Sequence, residues 1–226
     1  MSEVKPKRTR YEIIELVVVI MLGITAVATA WSSWQGGLHG SQMDQKYAES
    51  NLYASEGNSE YNAAIQTLTQ DMMLYNEING LMIDQVFAET KGDDDELEKL
   101  DWKISELISG NMSEDLWDAF VWALDESERI GETVSPFEMD GFMESYFEYA
   151  LDLLAESEEI MEEGNVNSAH SDNQGLVSVI YAVVLFLLGV TSTLKGLREK
   201  YILLVIAGIG FLSSTIFMLT IPIVFP

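Results

Sequence analysis

The sequence predicts an all-α fold: three transmembrane helices plus an extracytoplasmic antiparallel helical bundle. Three observations carry this. Residues 13–34, 175–194 and 201–225 are apolar runs, the last two without a charge, and about 20 such residues in a helix cross the ~30 Å hydrocarbon core. Residues 35–174 hold nearly all of the chain's 37 acidic side chains and under half of its 12 basic ones. Within that acidic stretch, apolar residues recur at helical spacing, and no segment sustains a period of two.

In order along the chain, residues 1–11 form a short basic N-terminus and 12–34 the first membrane helix, with Glu15 near its start. Residues 35–174 form the acidic bundle, 175–194 the second membrane helix, 195–200 a basic turn and 201–225 the third membrane helix. Lys5, Lys7, Arg8 and Arg10 precede the first helix, and Lys195, Arg198 and Lys200 fill the turn. Basic residues stay on the cytoplasmic side, and an even number of crossings separates these two segments, so they agree. The expected protein is multi-pass in the cell membrane, with residues 35–174 and the C-terminus outside. Ala28-Thr29-Ala30 also suits signal peptidase. Retention is expected, because the apolar stretch exceeds a signal core and Trp31 and Trp34 follow as interfacial anchors beside Gln35.

In the bundle, Tyr61, Ile65, Leu68, Met72, Tyr75, Met82 and Val86 mark one face of a helix over 41–89, with Asn79 in its polar slot and Gly57-Asn58-Ser59 placed to bend or break it. A second helix is expected over 94–109, with Leu97, Leu100, Ile104, Leu107 and Ile108 inward and Gly110 as its stop. A third runs from Ser113 to Ile130, with Trp117, Phe120, Val121 and Leu124 inward and Gly131 as its stop. Ser135-Pro136-Phe137-Glu138 reads as a capping box that opens a long helix. Its stripe is Met139, Met143, Tyr146, Ala150, Leu153 and Ile160, and Gly164 is placed to end it.

The chain has no cysteine, so disulfides and thiolate metal sites are excluded. A net charge of −25 disfavours a nucleic-acid partner; the partners it implies are the lipid bilayer, cations and further copies of the chain. Gly92-Asp93-Asp94-Asp95-Glu96 lacks the spaced ligands of a calcium loop and reads as helix capping. His39 and His170 are the two histidines, each five residues from a membrane boundary on segments of opposite direction. They are expected to face one another, with Asp172 the carboxylate of a divalent-cation site and Asp44 and Glu163 near by. Glu12 and Glu15 share a face and are expected to pair with Arg8 or Lys200. No nucleophile, zinc-hydrolase or phosphate-loop motif is present, so neither catalysis nor an organic cofactor is expected.

The segment Ala30-Trp31-Ser32-Ser33-Trp34-Gln35, then Gly40-Ser41-Gln42 and Tyr47-Ala48-Glu49-Ser50-Asn51, resembles the corresponding stretch in a group of uncharacterised prokaryotic membrane proteins. The likeness spans about 25 residues, with Leu38 where the group often has a second tryptophan and Ser50 in place of alanine. It implies a retained first helix and a junction, Trp to Asn, that matters to the group. It implies no activity.

These features point to a non-enzymatic membrane protein acting by binding or assembly, as a sensor, scaffold or accessory subunit. The alternative is an oligomeric ion channel with an acidic vestibule, its pore lined by Thr25 and Thr29 or by Ser213, Ser214 and Thr215. The acidic surface repels itself at low ionic strength. Thermal melts from low to molar sodium chloride should therefore show Tm rising with salt. A flat profile overturns that account, and a rise confined to divalent ions replaces it with specific cation sites.

Overall fold

The computed structural model describes residues 10–225 and is all-helical, with no strand among the described residues. Helix α1 spans Arg10–Lys91, α2 Asp94–Asn111, α3 Glu114–Ile130, α4 Phe142–Ser145, α5 Glu148–Thr193 and α6 Leu197–Met218, with a 3-10 turn at Pro136–Glu138. Helices α1, α5 and α6 are each long and apolar enough to cross a membrane. Lys5, Lys7 and Arg8 lie outside the described residues. The chain divides into two compact units, one of residues up to Ser50 with those from Glu159 onward, the other Asn51–Glu158. This division lies deeper in the acidic stretch than the hydropathy boundaries at 34 and 175.

In the first unit, α1 and α5 run antiparallel and close together. Small residues permit the approach: Ser171 Oγ donates to the Gly36 carbonyl (3.0 Å), and a Cβ on Gly164 would lie 2.6 Å from the Tyr47 ring. Gly164 therefore does not end a helix. It sits inside α5, where the Tyr47 ring takes the space a side chain would fill. The apolar core is Val18, Val184, Leu188 and Ala207, continued by Val177, Tyr181 and Ile221. Tyr181 is fully buried, and its phenol meets the Thr215 hydroxyl at 2.8 Å.

The third apolar run is helical only to Met218, not to Phe225. Pro222 lacks an amide donor and restrains Ile221 before it, so the chain turns at 219–221 and continues without helix. The same helix starts earlier than its apolar run, with Arg198, Glu199 and Lys200 in its first turn after Gly196. The α5–α6 connection is thus three residues, 194–196.

In the second unit, Leu74, Ile78, Leu116, Ala119 and Phe142 form the core, flanked by Ile104, Leu107, Ile108, Phe137 and Tyr146. Tyr75, Phe137, Phe142 and Tyr146 form a chain of edge-on aromatic contacts with centroids 5.3–5.5 Å apart. The N-caps and the α3 stop fall where the sequence puts them, whereas Gly110 does not stop α2, which runs through it to Asn111. Asp93 accepts from the Glu96 amide, Ser113 from the Leu116 amide, and Gly131 closes α3 at φ 77°.

Three further expectations are corrected in this unit. Gly57-Asn58-Ser59 does not break α1, which is helical throughout. A Cβ on Gly57 would meet Leu154 Cγ at 2.9 Å and the Ala150 carbonyl at 3.2 Å, so the glycine marks a close α1–α5 contact. The inward faces of α1 and α3 are rotated by about one residue, some 100°. On α1 Asp71, Leu74 and Ile78 are buried with Leu68, whereas Ile65, Met72, Met82 and Val86 are exposed. On α3 Leu116, Ala119, Phe120 and Ala123 are buried, whereas Trp117, Val121 and Leu124 are exposed. The row that faces in on α1 combines Gly57, Asp71 and Ile78, and its small and hydrogen-bonded members carry no hydropathy signal. Finally, the Ser135 capping box forms but caps only the 3-10 turn. Gly141, at φ 81°, redirects the chain, and the long helix begins at Glu148. Met143 is consequently exposed, while Ala150, Leu153 and Ile160 are buried as expected.

A valine at position 164 must displace the Tyr47 ring and its 2.8 Å bond to Asn165. Gly164→Val is expected to cost about 1–3 kcal/mol, read as a lower Tm in detergent. Gly175→Ala, with nothing within 4 Å of the added carbon, should leave Tm unchanged or raised.

Candidate functional site

One set of buried polar residues in the first unit gathers at the end of the apolar helices where α1 leaves its hydrophobic stretch. Ser32 and Gln35 are fully buried, and His39 and Gln174 nearly so. Their spacing on α1, three then four residues, puts Ser32, Gln35 and His39 on one face, against α5 and the non-helical C-terminal segment. Ser32 Oγ lies 2.8 Å from both the backbone and the side-chain oxygen of Gln174. Gln35 pairs with Val224 in both directions: its Nε2 donates to the Val224 carbonyl (3.0 Å), and the Val224 amide donates to its Oε1 (2.9 Å). The side chain thereby substitutes for a strand partner, satisfying backbone groups that would be costly to bury unpaired. His39 Nε2 donates to the Pro222 carbonyl (3.0 Å), a second tie on the same segment.

His39 and His170 do face one another, with ring centroids 5.1 Å apart and a 49° tilt. The rest of the expected cation site is not assembled around them. Asp172 is exposed and lies two residues, about 200°, round α5 from His170. Asp44 is exposed, and Glu163 is bonded to Lys46 at 2.8 Å, which raises the Lys46 pKa together with its bond to Glu49. His39 Nε2 is committed to Pro222, and its Nδ1 lies 3.4 Å from Asn167 Oδ1, so a metal would have to displace one of them. No group of three His, Cys, Asp or Glu side chains able to hold a metal occurs among the described residues.

The interface residues divide. Trp31 and Trp34 stay partly exposed and pack edge-on at 5.2 Å, while Gln35 is wholly internal. The pore candidates divide too. Thr25 and Ser214 are buried within the chain; Ser214 bonds to the Gly210 and Phe211 carbonyls, and Thr25 Oγ1 has no partner. Thr29 bonds to the Thr25 carbonyl and Thr215 to Phe211 and Tyr181. Only Ser213 is exposed. No single surface presents these five residues.

At the opposite end of the apolar helices, Lys200 is almost fully buried. Its ammonium lies 3.3 Å from Glu15 Oε1, 3.1 Å from the Tyr11 hydroxyl and 4.2 Å over the Tyr11 ring. Glu15 thus pairs with Lys200, as the charge pattern suggests.

A second buried polar group, in the other unit, is absent from the sequence reading. Asp71 is 2% exposed and accepts bonds from the Ser113 hydroxyl and the Tyr146 phenol. Burial, and then the bond to Asp71, push the Tyr146 pKa well above its ordinary 10.0. Asp71 therefore anchors the residue that caps α3 and fixes α1 against it. Its place in a heptad row with Gly57 and Ile78 was its only sequence signal.

No protein-family model, curated protein or solved structure matches this chain.

The polar junction satisfies its own members and so reads as a clamp on the C-terminal segment. Replacing Gln35 by leucine leaves the Val224 amide and carbonyl unpaired at about 1–3 kcal/mol. Gln35→Leu should lower Tm and accelerate hydrogen exchange at the Val224 amide about tenfold or more. Unchanged exchange there would sink the clamp.

Proposed function

We propose that this is a non-enzymatic, three-span membrane protein whose acidic helical part lies outside the cytoplasm and works by binding or assembly. The observation that carries the reading is the contact of Lys200 with Glu15 and Tyr11. It joins the start of α1 to the start of α6, so the basic residues Arg10, Lys195, Arg198 and Lys200 belong to one end of the apolar helices. Retention of lysine and arginine inside makes that end cytoplasmic. The polar junction and the chain beyond it are then outside.

Assembly is favoured because Ser32, Gln35, His39, Asp71 and Lys200 commit their buried polar groups to bonds that join distant segments of the chain. It is favoured over a pore because Thr25 and Ser214 point into the chain's own packing. The acidic surface supplies solvation and attraction for cations in the surrounding medium.

The chain's lack of cysteine permits a clean topology test. An impermeant maleimide applied to intact cells should label the exposed Asp125→Cys and spare Lys195→Cys until the membrane is permeabilised. Labelling of Lys195→Cys alone would reverse the orientation.

A further inference from the structure

The part of α1 in the second unit has a face that its own chain leaves uncovered. Three adjacent rows at seven-residue spacing, beginning at Asn51, Leu52 and Ser55 and running to Thr90, are exposed at every position. Not one of these positions is charged, in a chain of which 22% is charged and whose net charge is −25. Acidic residues occupy a neighbouring row, Glu56, Glu77 and Asp84, about 100° round the helix from the centre of the face. The lower part of the face is apolar. Ile65, Met72, Met73, Ile83, Val86 and Phe87 are all exposed, Met73 by 68% and Val86 by 62%.

A solvated helix in so acidic a chain has no physical reason to exclude charge from three rows over 40 residues. A covered one does, since a buried unpaired carboxylate is costly. The six apolar side chains offer roughly 600 Å² of accessible surface, approaching the ~800 Å² per partner of a standard stable interface, before Thr69, Asn76 and Asn79 add theirs.

We propose that the occupant is a second copy of this chain, packed α1 against α1 in parallel about a two-fold axis. This rests on the reading of the chain as a membrane protein. Two copies inserted in one bilayer share orientation and height, so each row meets its own counterpart in register, which is the self-complementary geometry of a two-fold dimer. The seven-residue period is that of a left-handed two-stranded coil. Asn79, between Met72 and Val86 in one row, meets its symmetry mate there, where the two amides can hydrogen-bond to each other across the axis. Charge favours this occupant as well. Acidic residues stay off the seam, whereas a basic partner would be drawn to the acidic rows instead of this uncharged one.

Disulfide trapping in native membranes tests the face directly, with the full-length chain and one introduced cysteine at a time. Oxidation with copper phenanthroline should convert Ile83→Cys to a covalent dimer at least tenfold faster than Glu77→Cys. In mild detergent the unmodified protein should have twice the mass of one chain, and Ile83→Glu should reduce it to one with Tm and helix content retained. The exposed position makes Ile83→Glu tolerable to the fold. Equal trapping at both positions, trapping to a different protein, or a native mass of one chain overturns the proposal. Both copies share orientation whichever side they occupy, so a reversed topology leaves the trapping result intact and the two readings fail separately.

Discussion

The close antiparallel pairing of α1 with α5 is the constraint on which the first unit depends. So close a pairing needs small residues where the backbones approach and hydrogen bonds between the two helices. Gly36, Gly164 and Ser32 meet that requirement on this pair. They let the backbones approach and set Ser32 against Gln174, His39 against His170 and Tyr47 against Gly164. Once the register is set, Gln35 and His39 face the place where α6 delivers Pro222 and Val224. The C-terminal segment, unable to continue as a helix through Pro222, acquires its backbone partners from those side chains.

The two buried polar centres solve the same problem differently. The polar junction uses a hydroxyl, two amides and an imidazole, Ser32, Gln35, Gln174 and His39, and no carboxylate or ammonium, near the end of an apolar stretch. The Asn51–Glu158 unit instead buries a carboxylate. Asp71 is tolerable because Ser113 and Tyr146 both donate to its Oδ2, and removing either takes one of two bonds from a buried carboxylate. That carboxylate also explains the rotation of α1. Asp71 could satisfy itself in water, but its two donors lie on α3 and beside α4, and the core of Leu74, Ile78, Leu116 and Phe142 closes around the same contact.

Composition and period made the helical class, the apolar runs and most caps legible: Asp93, Ser113, Gly131 and Ser135 all act as their residue types suggest. The histidine pairing was legible from topology, because equal distances from two antiparallel boundaries imply equal height. What the sequence concealed has one physical origin. Glycine is read as a breaker from its backbone freedom, yet Gly57 and Gly164 matter here for their missing side chains. Apolar size is read as a sign of burial, yet Met72 and Val86 are outside while Gly57 and Asp71 are inside. Contacts between distant segments, such as Gln35 with Val224, carry no local pattern at all.

The rotated face of α1 links these misreadings to the acidity. Had α1 buried its large apolar row within its own unit, nothing would separate the remaining surface from an ordinary solvated one. With Asp71 and Ile78 turned inward instead, that row is left outside, in company with uncharged Asn, Thr and Ser. Repulsion between two chains of net charge −25 opposes any contact between copies, and screening weakens it over a Debye length of about 8–10 Å. Within the acidic Asn51–Glu158 unit, a seam free of carboxylates is a surface where two such chains can touch without desolvating like charges. The acidic coat and the uncharged stripe are therefore complementary: the coat discourages association everywhere except where it is absent.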